Sequence, residues 1–129
     1  MKLELLTLNK SLNIAYRKQS LKRDQIDTFK LNLTRMFSRI NEMESEEHLK
    51  NIVSDFLKDT YYKSTNEINT KGRKDLVIHN DKTAESTVGV IIEVKRPSNK
   101  TEMITREKPN AKALHELLHY YLHERYIKD

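Results

Sequence analysis

Three ionisable residues stand where apolar strands leave little room for charge. Asp75 enters the run Leu76-Val77-Ile78, and Glu93 and Lys95 interrupt the run Val90-Ile91-Ile92-Glu93-Val94-Lys95. Alternate residues of a strand share a face, so Asp75 falls with Val77, and Glu93 and Lys95 fall with Ile91; Leu76, Ile78, Val90, Ile92 and Val94 point the other way. A hairpin turning near Ala84 pairs residues whose numbers sum to about 168, which sets Asp75 across from Glu93. Two carboxylates at cross-strand distance repel unless a cation lies between them. An oxygen-lined site with few ligands suits Mg²⁺, with Mn²⁺ as a substitute, because these ions keep waters and accept phosphate oxygens. Lys95 on the same face is placed to orient a water or to stabilise developing negative charge. The plainer reading is a hairpin with surface ion pairs, Glu93 to Lys95 or Asp75 to Arg96; the flanking Val and Ile argue against so exposed an edge.

A second motif competes for the chemistry. His115-Glu116-Leu117-Leu118-His119 is a literal H-E-x-x-H, which on a helix sets two histidines one turn apart to bind Zn²⁺ with the glutamate as general base of a metallopeptidase. Such a site needs a third protein ligand. Leu122 and Arg125 stand where one known extension of the motif needs Gly and His, and only ten residues follow His119. His123 repeats the spacing but lies about 12 Å along the axis from His115 at 1.5 Å per residue.

The elements that must carry these residues follow from periodicity. Ile26, Phe29, Leu33, Phe37 and Ile40 predict a helix over 21–41, with Lys22, Lys30, Arg35 and Arg39 on its polar face. Leu49, Ile52, Val53, Phe56 and Leu57 predict another over 45–59, capped by Ser45 and opened by Glu46 and Glu47, where the helix dipole favours anions. A short strand is expected within Tyr61 to Asn69, then a turn at Gly72, the Asp75–Glu93 hairpin, and a polar loop over 80–87. His79 ends the first hairpin strand on the Asp75 face and reads as solvent-facing. Pro97 ends the second strand. Residues 98–109 are a connecting loop. A last helix over 110–126 has Ala111, Leu114, Leu118, Tyr121 and Leu122 as its expected core face. Ahead of all this, Leu3, Leu5, Leu6 and Leu8 suit a short strand or helix, and Leu12, Ala15 and Tyr16 a helical arm.

Asp75 followed after 17 residues by Glu93-Val94-Lys95 resembles the PD-(D/E)XK nuclease motif. I-N-T-K-G-R-K-D-L-V-I, V-I-I-E-V-K-R-P and A-L-H-E-L-L-H-Y-Y-L-H-E-R together resemble the N-terminal nuclease domain of type IIG-like fused restriction–modification enzymes, over about residues 42 to 126. Lys74 stands where the motif's name has proline. The resemblance implies an α/β, restriction-endonuclease-like fold: a small mixed sheet with the Asp75 and Glu93 strands central, flanked by the 45–59 and 110–126 helices, with residues 1–41 as an N-terminal helical extension of a 42–129 core. It implies a Mg²⁺-dependent endonuclease that hydrolyses DNA phosphodiesters to leave 5′-phosphates. Asp75, Glu93 and the Val94 carbonyl would hold the metal, Lys95 would act on the nucleophile or the pentacovalent charge, and Glu46 would supply the extra acidic group that such nucleases often take from their first core helix. Methyltransferase and target-recognition domains would follow in the same polypeptide, and His115, His119 or Tyr120 would face DNA.

Charge is consistent with a polyanionic partner. The net charge is +5. Residues 1–40 hold nine Lys or Arg against three Asp or Glu, while the remainder is nearly balanced. Lys22 and Arg23, clustered with Arg17, Lys18 and Tyr16, and Arg73, Arg96 and Lys100 with Arg106 beside the hairpin, are the candidate contacts to duplex DNA; a solvated surface is the plainer account. A non-catalytic DNA-binding module is therefore a third reading, and a dimer on DNA is compatible with double-strand cleavage. At 129 residues the chain suits one domain. No cysteine is present, which excludes disulfides and thiolate metal sites. No signal peptide or membrane-length apolar run is seen, so the expectation is a cytoplasmic protein without membrane contact.

Overall fold

The computed structural model describes Glu4 and residues 6–126. Leu3 and Leu5, proposed to start an N-terminal element, lie outside the described residues. The protein is a mixed α/β fold with one small antiparallel sheet. Two single-turn helices, α1 (Leu8–Ser11) and α2 (Ile14–Arg17), precede the long α3 (Arg23–Arg39). Then come α4 (Glu46–Leu57), a π-helical turn (Lys58–Tyr62), β1 (Ile68–Lys71), β2 (Lys74–His79), β3 (Val88–Ile92) and α5 (Lys112–Tyr126).

The sheet order is β1-β2-β3 and both pairings are antiparallel. Among the described residues the sheet is antiparallel and not the expected mixed one: β2 is central, and β3 is an edge. A parallel neighbour needs a crossover of a dozen or more residues ending in another strand. Here the chain after Pro97 runs through a loop directly into α5. The predicted hairpin register holds. Leu76 pairs with Ile92, Val77 with Ile91 and Ile78 with Val90, before a bulge shifts His79 onto Val88.

One sheet face carries the apolar core. Ile68, Leu76 and Ile78 are buried together, and Val53, Leu57, Tyr62, Ile92 and Val94 pack on them. α4 supplies this cover because Ile52, Val53 and Leu57 recur at helical spacing, and Ser45 starts it as expected by accepting the His48 amide at 3.1 Å. The α-helix does not run on to residue 59. It widens into the π turn, which presents Tyr61 and Tyr62 beside Phe56 in an edge-on aromatic row that continues to Phe29. Gly72 makes the β1–β2 turn at φ 62°, a backbone region that favours glycine.

α3 packs on α4 and the π turn by part of its expected face: Phe29 meets Phe56, and Ile26, Leu33 and Ile40 are half-buried. Its buried residue is Asn32, whose side-chain amide donates to Thr60 Oγ1 at 3.2 Å, and Arg39 reaches Asp55 at 2.8 Å, while Phe37 stays 62% exposed. Polar contacts with the π turn and α4 thus set the rotation of α3. Among the described residues no helix is long and apolar enough to cross a membrane.

Candidate active site on the second sheet face

The opposite face of β2 and β3 gathers charge. Asp75 is the second residue of β2, and the register puts Glu93, the residue after β3, across from it. The Val94 amide donates to Asp75 Oδ2 at 2.8 Å, which closes the strand ends where the ladder stops. Lys95 Nζ lies 2.6 Å from Glu93 Oε1, and their side chains are only 6% and 8% exposed. Four sequence-predicted residues, Asp75, Glu93, Val94 and Lys95, therefore come together.

α5 closes this face with its polar side. Glu116 Oε2 lies 3.0 Å from Lys95 Nζ as its ion-pair partner. Glu102 from the loop is 3.9 Å from the same ammonium and 3.4 Å from Lys112. Two turns on, Glu124 takes Lys74 at 2.8 Å and Lys71 at 3.5 Å, and Lys74 also lies 5.9 Å from the centre of the Tyr120 ring. The expected core face of α5 holds at its start, where Ala111 is buried and Leu114 half-buried, and is corrected further on: Leu118, Tyr121 and Leu122 are about half exposed, while Ala113 is buried and Leu117 half-buried. Small side chains at Ala111 and Ala113 let the helix start close to the sheet, which brings its charged stripe over the carboxylates and lysines.

Burial and neighbours shift these groups. Burial pushes the Glu93 carboxyl up, and the charge of Asp75 adds to this against the opposing hydrogen bond from Lys95. At Glu116 burial also pushes up, but hydrogen bonds to Lys95 and Glu93 and the charges of Lys95 and Lys112 outweigh it and hold the carboxyl low. Lys95 is pulled down by burial and raised further by its two glutamates, so it stays an ammonium. Tyr120 is raised by burial and by the charges of Glu93, Glu116 and Asp75. Of this acid pair, Glu93 is the one that holds a proton more readily and Glu116 the one that stays ionised.

Whether the donors suit a divalent cation is read from their oxygens. Glu93 Oε2 is buried with no hydrogen-bond partner, and leaving such an atom unmatched is costly, whereas Glu116 Oε2 is taken by Lys95 at 3.0 Å. Asp75 and Glu93 offer carboxylate oxygens, the donor type that Mg²⁺ or Mn²⁺ takes. No three His, Asp or Glu side chains among the described residues are gathered closely enough to form a complete metal cage. An ion held there would have Asp75 and Glu93 as its side-chain ligands and would fill its other positions with water or substrate oxygens.

Other predicted residues separate from this cluster. Glu46 is half-buried in the first turn of α4, and no hydrogen bond or ion pair among the described residues joins it to Asp75, Glu93 or Lys95. Arg73 is exposed in the β1–β2 turn, near enough for its charge to act on Tyr120. Arg96 and Lys100 are exposed just past β3. Lys22 and Arg23 begin α3, and Arg23 is held by Asp27 at 3.2 Å. His79 stays on the Asp75 face but is fully buried, not solvent-facing: Nδ1 donates to the Ser86 carbonyl at 2.9 Å and Nε2 meets the Asn69 side-chain amide at 3.1 Å. It is a structural pin for the 80–87 loop. In the H-E-x-x-H, His115 and His119 are exposed while Glu116 is committed to Lys95. An open groove of about 590 Å³ between α3 and the π turn, lined by Leu21, Ile26, Phe29 and Tyr61, gathers no comparable charge.

A family model described as a domain of unknown function (DUF7149) matches residues 6–129. The chain belongs to the DUF7149 family. No curated protein matches it, and no solved structure does. The DUF7149 domain thus has its charged site defined by geometry alone. Sequence reasoning missed Glu102 and Glu124 as members of that site, and reached Tyr120 only as a DNA-facing residue and Glu116 only as the base of the competing motif. The signal was present in the Glu116–Tyr120–Glu124 spacing of four, a polar stripe on one helix face, but the leucine stripe competes with it for the buried side.

Proposed function

We propose that this domain is a metal-dependent DNA endonuclease of the PD-(D/E)XK type, the cleavage module of a restriction–modification enzyme. The observation that carries the reading is the register: Asp75 and Glu93 oppose each other at the open end of one hairpin, with buried Lys95 on the same face. Bound there, a divalent cation would supply Lewis-acid stabilisation and a more acidic water. Asp75 and Glu93 would hold the ion, with the Val94 carbonyl as in the resembled family. The Asp75 carboxylate is oriented for this by the Val94 amide. Lys95 would meet the charge that builds on the non-bridging phosphate oxygens as water attacks phosphorus and the 3′-oxygen leaves. The basic excess of residues 1–40 and the exposed Arg73, Arg96 and Lys100 would bind the phosphate backbone.

The test is Mn²⁺ titration by calorimetry with wild type and Glu93→Ala, followed by plasmid cleavage with Mg²⁺ or Mn²⁺. Binding that disappears in Glu93→Ala, with cleavage lost in Asp75→Ala and Lys95→Ala, is the expected result. Zn²⁺ binding indifferent to Glu93, with no Mn²⁺ signal and no cleavage, would overturn the reading.

A further inference from the structure

We infer that Glu116 is the positioning residue for Lys95, supplied by α5 across the sheet face. The inference rests on Lys95 being the lysine of the proposed site. A lysine reaches its ammonium through four rotatable bonds, and a single contact leaves that ammonium free to swing. Glu93 lies two residues away on the same segment and fixes Lys95 along the chain direction. Glu116 comes from a separate element and fixes it from above. Glu93 is also the residue that a divalent cation would claim, and its hold on Lys95 weakens when its oxygens turn to the metal. Glu116 then remains as the carboxylate that keeps the ammonium over the site.

The surroundings of Glu116 are built for this task. Its second oxygen lies 3.8 Å from Lys112 Nζ, and Lys112 is tethered by both oxygens of Glu102 at 3.4 Å. The Glu102 carbonyl accepts the Ala113 amide at 3.1 Å, so the same loop residue that steadies Lys112 also anchors the start of α5. At 28% exposure, Glu116 stands at the margin of the site, with Lys95 beneath it at 6%. The H-E-x-x-H motif thus contributes its glutamate to the lysine rather than to general-base chemistry.

The experiment uses the protein with ¹⁵N-labelled lysines and follows the Lys95 Nζ–H resonance, identified by its loss in Lys95→Arg. A buried, ion-paired ammonium exchanges its protons slowly and gives a resolved signal. That signal is expected to persist in wild type with saturating Mg²⁺ and in Glu93→Gln, and to be lost in Glu116→Gln. Mn²⁺ affinity should stay within about twofold in Glu116→Gln, while kcat for plasmid cleavage falls about 10- to 100-fold with KM unchanged, the effect of a small misplacement of a reacting group. A Lys95 signal unchanged in Glu116→Gln overturns the inference. So does a tenfold loss of Mn²⁺ affinity, which would make Glu116 a metal ligand. Lys112→Met, which removes the buttress and leaves both carboxylates, gives a second reading: a weakened signal supports the inference, and an unchanged one with Glu116→Gln unfolded refutes it. Absence of cleavage under any cation would sink the nuclease reading while leaving the resonance result standing.

Discussion

Replacing Lys95 by Met removes the buried ammonium that Glu93 and Glu116 share, leaving Lys112 beside Glu116 alone, and keeps most of the side-chain volume. Glu93 is then buried opposite Asp75 with Glu116 beside it. Breaking a buried pair by deleting one partner costs about 3–5 kcal/mol, because the remaining charge is uncompensated. Glu93 reduces that cost by taking a proton, since burial and Asp75 already push its carboxyl up, and Glu116 reduces it by its partial access to water. The net loss should be about 3 kcal/mol. For a domain of this size each kcal/mol moves the melting point by roughly 3–5 °C, so the transition should fall by about 10 °C. Thermal unfolding by circular dichroism measures it. Mg²⁺ or Mn²⁺ should recover several degrees in Lys95→Met, more than in wild type, because a divalent ion replaces the missing counter-charge and stabilises only the folded state. A fall below about 2 °C, or no recovery with either ion, would show that the carboxylates are not held together in solution and would refute the electrostatic reasoning.

Gly89→Ala places a Cβ against Asn80 Oδ1, and Asn80 is itself held by Thr87 Oγ1 at 2.8 Å. The loss should be about 1 kcal/mol, one displaced hydrogen bond, and Asn80→Ala in the same chain should recover most of it by urea unfolding. Glu124→Ala strands the buried Lys74 and should cost about 2 kcal/mol, since the pair is partly reached by water; a urea midpoint within error of wild type would show that α5 is not anchored there. Stability should also pass through a maximum on the acid side of neutrality. The raised Glu93 carboxyl carries a penalty at neutral pH that is relieved as the pH falls through its folded value. Below about pH 4.5 the depressed Glu116 and Glu124 reverse the trend, because the unfolded chain then binds more protons than the fold. Above pH 10.5 the raised Lys95 loses its contribution as the pH climbs. Melting points over a pH series check the profile, and Glu93→Gln should erase the initial rise on acidification.

The hairpin was the most legible part of the sequence, because alternation and one turn position fix both faces at once. The Asp75–Glu93 opposition and the paired Lys95 follow from that register. Ser45 and Gly72 were legible for local reasons, a side-chain cap and a left-handed turn. Helix rotation was less so. α3 offered an aromatic and aliphatic stripe, yet Asn32 and Arg39 found partners in Thr60 and Asp55 and set its face. α5 offered two stripes, and the charged one docked because Lys74 and Lys95 were already buried beneath it and needed carboxylates. His79 was misjudged because its partners, Asn69 and Ser86, are a neighbouring strand and a loop that periodicity does not see. Glu46 satisfied the dipole of its own helix, which was reason enough for an acid at that position.

α5 turns Glu116 and Glu124 inward beside Leu114 and Leu117 and leaves Leu118 and Leu122 exposed, so its attachment is more sensitive to ionic strength than that of α4. Added salt strengthens apolar contacts such as Leu57 against the sheet, and screens charge pairs, the more accessible ones first. Along α5 the start is fixed by buried Ala111 and Ala113, and Glu116 and Glu124 each hold a buried lysine, Lys95 and Lys74. The accessible Lys112–Glu116 and Lys71–Glu124 contacts are therefore screened first, and the helix stays clamped on its two buried lysines after those outer pairs are lost.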